Sequence, residues 1–166
     1  MWPGRLRSLG WVSGSINAAK VEYARGLLFR GDEVGQMMKV VGEEGTSLED
    51  YVVYLKSDFL DAVYLQQNSF DPVDGSVSLE RQRYVFDLLF RILAASLRFE
   101  SKEEARSWFA RLRQRFLDYN GAEWKSDTFL SIEGEIAGQL EERKTGIDEA
   151  AAELAASTNG SGGGLR

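Results

Sequence analysis

An all-α fold is predicted, on three observations. Only two prolines occur in 166 residues, at positions 3 and 72, so helices can run long almost everywhere between them. Apolar residues recur at spacings of three and four through most of the chain. No stretch of useful length alternates apolar and polar residues with the period of a half-buried strand. The expected architecture is a single bundle of about five to six helices over residues 15–145. A boundary segment, 1–14, precedes it. A weakly packed or disordered tail, 146–166, with a flexible glycine-rich end, follows it.

The first stripe, Ile16, Ala19, Tyr23, Leu27 and Leu28, predicts a helix from about Ser15 to Arg30. Gly31 and Asp32 are expected to break it, with Asp32 capping a short helix that holds Val34, Met37, Met38 and Val41. Gly42 suits a left-handed stop. Glu43-Glu44-Gly45-Thr46 then reads as a short acidic loop. Thr46 or Ser47 opens the next helix, marked by Leu48, Val52, Leu55, Phe59 and Val63. A further helix is predicted from about Leu79 to Arg98, burying Val85, Leu88, Leu89, Ile92 and Leu93. Ser101 with Glu104 forms a capping box ahead of Trp108, Phe109, Leu112 and Phe116, and Asn120-Gly121 ends that helix. The last amphipathic helix follows Asp127 through Phe129, Ile132, Ile136 and Leu140. Alanine dominates from Ile147 to Ala156, so any helix there has few large anchors. Residues 157–164 are low-complexity Ser, Thr, Asn and Gly, expected to be disordered.

Composition excludes several kinds of chemistry. There is no cysteine and no histidine, which removes thiolate sites, the commonest metal ligand and the commonest general base together. A net charge of −6 and a pI near 4.8 argue against nucleic acid or anionic membrane as the main partner. No apolar run approaches the ~20 residues of a membrane span, and Met1-Trp2-Pro3-Gly4-Arg5 lacks a signal core. A soluble intracellular chain is therefore expected. No phosphate-cradling loop ending in Gly-Lys-Ser/Thr is present, nor a dinucleotide fingerprint. A calcium loop from Asp71 would need Glu at its twelfth position, where Gln82 stands, so Asp71 and Asp74 read as turn residues. No catalytic set and no metal site is expected.

Two segments remain as candidate sites. Leu65-Gln66-Gln67-Asn68-Ser69-Phe70-Asp71-Pro72-Val73-Asp74 runs from a helix end into a tight turn before Gly75. Its aromatic ring, beside amide donors and acceptors, is either a local plug under the turn or a flat face for another ring such as a nucleobase. Glu43-Glu44-Gly45, followed by Glu49-Asp50, gathers acids around a helix–helix turn. That pattern fits plain surface, with Glu49 and Asp50 favoured at a helix N-terminus, or a patch that meets a basic partner. Arg106, Arg111, Arg113 and Arg115 read as a solvated face balanced by Glu103, Glu104 and Asp118, and Trp108 and Phe109 as core.

The motifs Val34-Gly35-Gln36-Met37-Met38-Lys39-Val40-Val41-Gly42-Glu43-Glu44-Gly45, Ser47-Leu48-Glu49-Asp50-Tyr51, Leu65 to Asp74, and Leu79-Glu80-Arg81-Gln82 occur in that order. Together they resemble the C-terminal helical domain of the catalytic A subunit (alpha chain) of V-type and archaeal-type ATP synthases, in its bacterial branch. The resemblance covers about Gly10 to Ile147, and the Leu-Gln-Gln-Asn-x-Phe segment is its most specific part. It implies a rotary ATPase on the cytoplasmic face of a membrane, without insertion into the membrane. It implies the B subunit, the central stalk and an upstream nucleotide-binding domain as partners, and ATP or ADP with magnesium as cofactor of the whole subunit. By the same resemblance Phe70, with Gln67 and Asn68, lies against adenine. Glu43, Glu44, Glu49 and Asp50 then occupy the place of a tip that touches the rotor. The family's phosphate loop, catalytic glutamate and magnesium ligand have no counterpart in these 166 residues, so the chain alone is not expected to hydrolyse ATP. The other reading is a stand-alone helical interaction adaptor. An in-frame Gly-x-x-x-x-Gly-Lys-Thr domain upstream of Met1 would separate the two.

Overall fold

The computed structural model describes residues 18–66 and 75–159. The elements in chain order are α1 (Ala18–Val41), α2 (Leu48–Leu60) running into a π-helical turn (Asp61–Leu65), α3 (Gly75–Ala94), β1 (Ala95–Leu97), α4 (Lys102–Gly121), α5 (Asp127–Glu141), β2 (Lys144–Ile147) and α6 (Glu149–Asn159). The all-α expectation holds, with one small exception. Residues 95–97 and 144–147 pair antiparallel, Ala95 opposite Ile147 and Ser96 opposite Gly146, with an irregularity before Leu97. Strands of three and four residues are too short to show an alternating pattern in sequence. The helix expected to reach Arg98 therefore stops at Ala94.

α1 and α2 form an antiparallel hairpin, and its closest approach corrects the reading of Gly31. The helix does not break there but runs unbroken through Gly31 and Asp32 to Val41. A Cβ on Gly31 would lie 2.2 Å from the Ser57 Cβ, and one on Gly35 would lie 3.4 Å from the Tyr54 ring. Glycine is required here by the neighbouring helix, not by a turn. The intrahelical hydrogen bonds and the packed face outweigh the cost of about 0.5–1 kcal/mol for a glycine inside a helix.

α4 runs parallel to α2 and is pinned to it along its length. Arg106 reaches Tyr51, Arg113 lies 3.8 Å from Asp58, and Asn120 Nδ2 donates to the Val63 carbonyl at 2.7 Å. The offset stays at 55–57 residues along the pair. The π-helical turn makes the last contact possible. Gln66 N donates to Asp61 O, an i→i+5 bond, and Ala62, Val63, Tyr64 and Leu65 are all buried. Widening the helix by one residue per turn buries four consecutive side chains and leaves a carbonyl for a side-chain donor.

The core is aromatic. Trp108, Tyr119, Phe86, Phe116 and Phe129 are fully buried with Leu27, Leu60, Leu89, Ile92, Leu93 and Leu112. Phe59 packs edge-on to Phe116 at 5.6 Å, and Tyr119 stacks on Phe129 at 4.2 Å, joining α2, α4 and α5. Trp108, Phe109, Leu112 and Phe116 fall on the buried side of α4 as their spacing predicts. Ser101 Oγ accepts from Glu104 N, while the Glu104 carboxylate accepts from Glu100 N at 2.7 Å, closing the predicted cap one residue further out. The Arg143 guanidinium at 2.5 Å adds to that backbone donor, and together they hold Glu104 below its ordinary range.

A buried polar knot ties α1, α2, α3 and the start of α6 together. Lys56, 7% exposed, donates to the carbonyls of Leu93 and Ala95 at 2.9 and 2.7 Å. Tyr23 Oη donates to Asp148 Oδ2 at 3.1 Å, and Asp148 N donates to Ala94 O. Burial pushes the Lys56 ammonium down to about 8, against the pull of Asp148. Asp148 also caps α6 by accepting from Ala150 N, and Ala151 is buried. Residues 148–151 are thus anchored, although no large apolar side chain marks them. The glycine-rich end from Gly160 lies outside the described residues.

Candidate functional site

The acidic turn between α1 and α2 is built by backbone chemistry that its residues dictate. Gly42 adopts φ 77°, the left-handed conformation predicted for it, and its N–H donates to Met38 O at 2.9 Å. Thr46 is buried and donates through Oγ1 to Gly42 O at 3.0 Å, while its N–H bonds to Glu43 O. Gly45 sits so close to the end of α1 that a Cβ would fall 2.7 Å from Val41 O. Ser47, not Thr46, caps α2, accepting from Asp50 N at 3.1 Å. Glu49 and Asp50 occupy the first turn of α2, where the positive end of the helix dipole favours them.

Around this frame Glu43, Glu44 and Glu49 are exposed and Asp50 is half-buried. Val40 is 85% exposed, and Met37 and Val41 are also open to solvent. The turn therefore presents carboxylates beside a small apolar patch. It can act as a contact surface; it has no nucleophile–base pair to act as a catalyst.

α4 supplies the basic side of the site. Arg106 pairs with the Glu43 carboxylate, and its Nε donates to Tyr51 Oη at 2.9 Å. Its guanidinium also lies 5.8 Å from the centre of the Tyr51 ring. Lys102 Nζ donates to the Glu43 carbonyl. Tyr51 is buried and stacks on Tyr54 at 6.2 Å. The Tyr51 hydroxyl, then Glu43, raise Arg106 above its ordinary range. The balancing acids expected for the arginines were Glu103, Glu104 and Asp118, and here the structure corrects the sequence. Arg106 takes Glu43, Arg113 lies by Asp58, and Arg115 lies 3.5 Å from Glu135 and hydrogen-bonds Gln139. Arg106, Arg111 and Arg113 are exposed, as a solvated face requires, but the acids that balance the run come from three other segments and not from α4 itself.

Sequence places Arg106 in a basic run and Tyr51 in a motif and passes over Lys102, but it does not join them to the turn, because the contacts span 55–63 residues. One local signal existed. Lys102 and Arg106 sit in the first turns of α4, where the helix dipole disfavours cations, so an external acid was needed.

The other candidate residues, Gln67, Asn68 and Phe70, lie outside the described residues. The preceding Gln66 is exposed, and its side chain donates to Asp61 Oδ2 at 3.0 Å. A groove of about 440 Å³ between α1 and α2 is lined by Asp32, Asp58, Asp61, Lys39 and Tyr54. Among the described residues no group of three or more acids is placed to hold a metal ion. Nor is any helix among them long and apolar enough to cross a membrane.

The described residues define the class as an all-α bundle with an exposed acidic turn between its first two helices. A family model described as the C-terminal domain of V and A type ATP synthase matches residues 21–106, and the chain belongs to that family. It is 55% identical over 135 residues to the V-type ATP synthase alpha chain of Treponema denticola, covering 81% of this chain and 23% of that one. It is 51% identical to V-type ATP synthase alpha chain 1 of Treponema pallidum, covering 82% and 23% respectively. With the alpha chain of Borrelia duttonii it shares 50% identity, over 84% of this chain and 24% of the relative. The chain thus spans about a quarter of the length of the curated relatives it matches.

Proposed function

We propose that this chain is the force-transmitting C-terminal domain of the alpha chain of a rotary V-type ATPase. The observation that carries the reading is the acidic turn, Gly42 to Ser47, tied by its own hydrogen bonds at the end of the α1–α2 hairpin. In the assembled enzyme, the acidic turn that carries Glu43, Glu44, Glu49 and Asp50 lies against the central stalk. Closing of an upstream nucleotide-binding domain of the same subunit, against a B subunit, swings the bundle and pushes the turn against that stalk. ATP hydrolysis or synthesis is thereby coupled to ion transport, with the head on the cytoplasmic face of the membrane. Phe70, with Gln67 and Asn68, forms one wall of the adenine site. ATP or ADP with magnesium is held by the upstream domain.

The test replaces Glu43 and Glu44 together by Lys in the complete complex. Ion pumping per ATP hydrolysed should fall, because cations now face the partner that the acids attracted. Pumping and rotation at the wild-type level in that variant would refute the stalk contact.

A further inference from the structure

The two glutamates of the turn do different things, and α4 decides which does what. Both the carboxylate and the carbonyl of Glu43 are engaged by α4, the first by Arg106 and the second by Lys102. Glu44 makes no hydrogen bond or ion pair among the described residues and is exposed. An isolated surface ion pair would hold such a turn only weakly. Arg106 is not isolated. Its Nε is fixed at 2.9 Å to the hydroxyl of Tyr51, a residue 3% exposed, and its guanidinium lies near the same ring. The guanidinium therefore reaches Glu43 already oriented, with less side-chain freedom left to lose.

We infer that Arg106 is a positioning residue that clamps the acidic turn to α4, making Glu43 an internal anchor and leaving Glu44 as the outward contact. The inference rests on the stalk-contact reading. The buried face of α4 (Trp108, Phe109, Leu112 and Phe116) sits in the core, so load applied at the turn passes through Glu43 and Arg106 into the packed interior. Without the clamp the hairpin end would bend under that load.

The experiment uses the full alpha chain, alone and in the assembled complex, with Arg106→Gln, Arg106→Lys, Glu43→Gln, Glu44→Gln and the pairwise combinations. In the alpha chain alone, amide exchange at Gly42 and Thr46 should rise about two- to fivefold in Arg106→Gln and Glu43→Gln, the range expected for losing a networked surface pair. It should stay unchanged in Glu44→Gln. In the complex, Arg106→Gln and Glu43→Gln should each lower the ions moved per ATP, and their combination should be no worse than either alone. Glu44→Gln should add to both, and Arg106→Lys should recover part of the loss. Unchanged turn exchange in Arg106→Gln, or additive losses for Arg106 and Glu43, would overturn the clamp and leave the stalk contact standing. Wild-type coupling in Glu44→Gln and in all its combinations would overturn the stalk-contact reading and the assigned roles with it.

Discussion

At the scale of single residues, the same amino acid has opposite meanings along α1. Gly26 has nothing within 4 Å of where its Cβ would be, whereas Gly31 would place its Cβ 2.2 Å from that of Ser57. Gly26→Ala should therefore stabilise the chain by about 0.4–1 kcal/mol through the unfolded state. Gly31→Ala should destabilise it by about 1–3 kcal/mol through overpacking. Urea unfolding midpoints measure both, and Ser57→Gly should return part of the Gly31→Ala loss.

Lys56 carries the second residue-scale prediction. Its ammonium is easier to deprotonate in the fold, at about 8, than at its ordinary 10.5, so the unfolded chain holds more protons between those values. Stability contributed by this group should rise as pH climbs from about 8 towards 10, by up to about 3 kcal/mol. Burial raises the phenols of Tyr23 and Tyr119, so above pH 10 the unfolded chain ionises first and stability should fall again. Unfolding midpoints against pH should show a rise and then a fall in the native chain. Lys56→Met should keep only the fall.

At the scale of elements, the caps are local chemistry with local effects. Ser47, Ser101 and Ser126 each accept a hydrogen bond from the backbone N–H three residues on. Ser47→Ala should cost about 1 kcal/mol of stability, visible as a lower thermal midpoint. Because Thr46 and Gly42 hold the other side of the turn, the loss should unravel the first turn of α2 without releasing the end of α1. Amide exchange resolved by residue would show this, with Asp50 losing protection and Gly42 keeping it. Element ends without such caps were harder to read. The π-helical turn, the close of α3 at Ala94 and the two short strands depend on partners elsewhere in the chain: Asn120, Lys56 and the 144–147 segment.

At the scale of the whole molecule, the bundle is a support for surfaces whose chemistry lies mostly outside it. The complete subunit is the proper setting for the adenine proposal. Phe70→Ala there should weaken nucleotide affinity by about 1–3 kcal/mol, the range for a base stacked on an aromatic side chain. Equilibrium nucleotide titration checks it, and wild-type affinity would remove Phe70 from the site.

The sequence by itself determined the helical class, the Ser101 cap, the Gly42 stop, the aromatic face of α4 and the acidic character of the turn. All of these depend on residues within about four positions of one another, through helix periodicity, backbone capping and turn geometry. Tertiary structure alone decided that Gly31 is a crossing point instead of a break. It alone buried Lys56 under the end of α3, and it gave Glu43 to Arg106 instead of to solvent. Those outcomes depend on which helices pack side by side, with partners 26 to 63 residues away in the chain. No local pattern encodes that pairing, because it is set by the burial of the shared aromatic core.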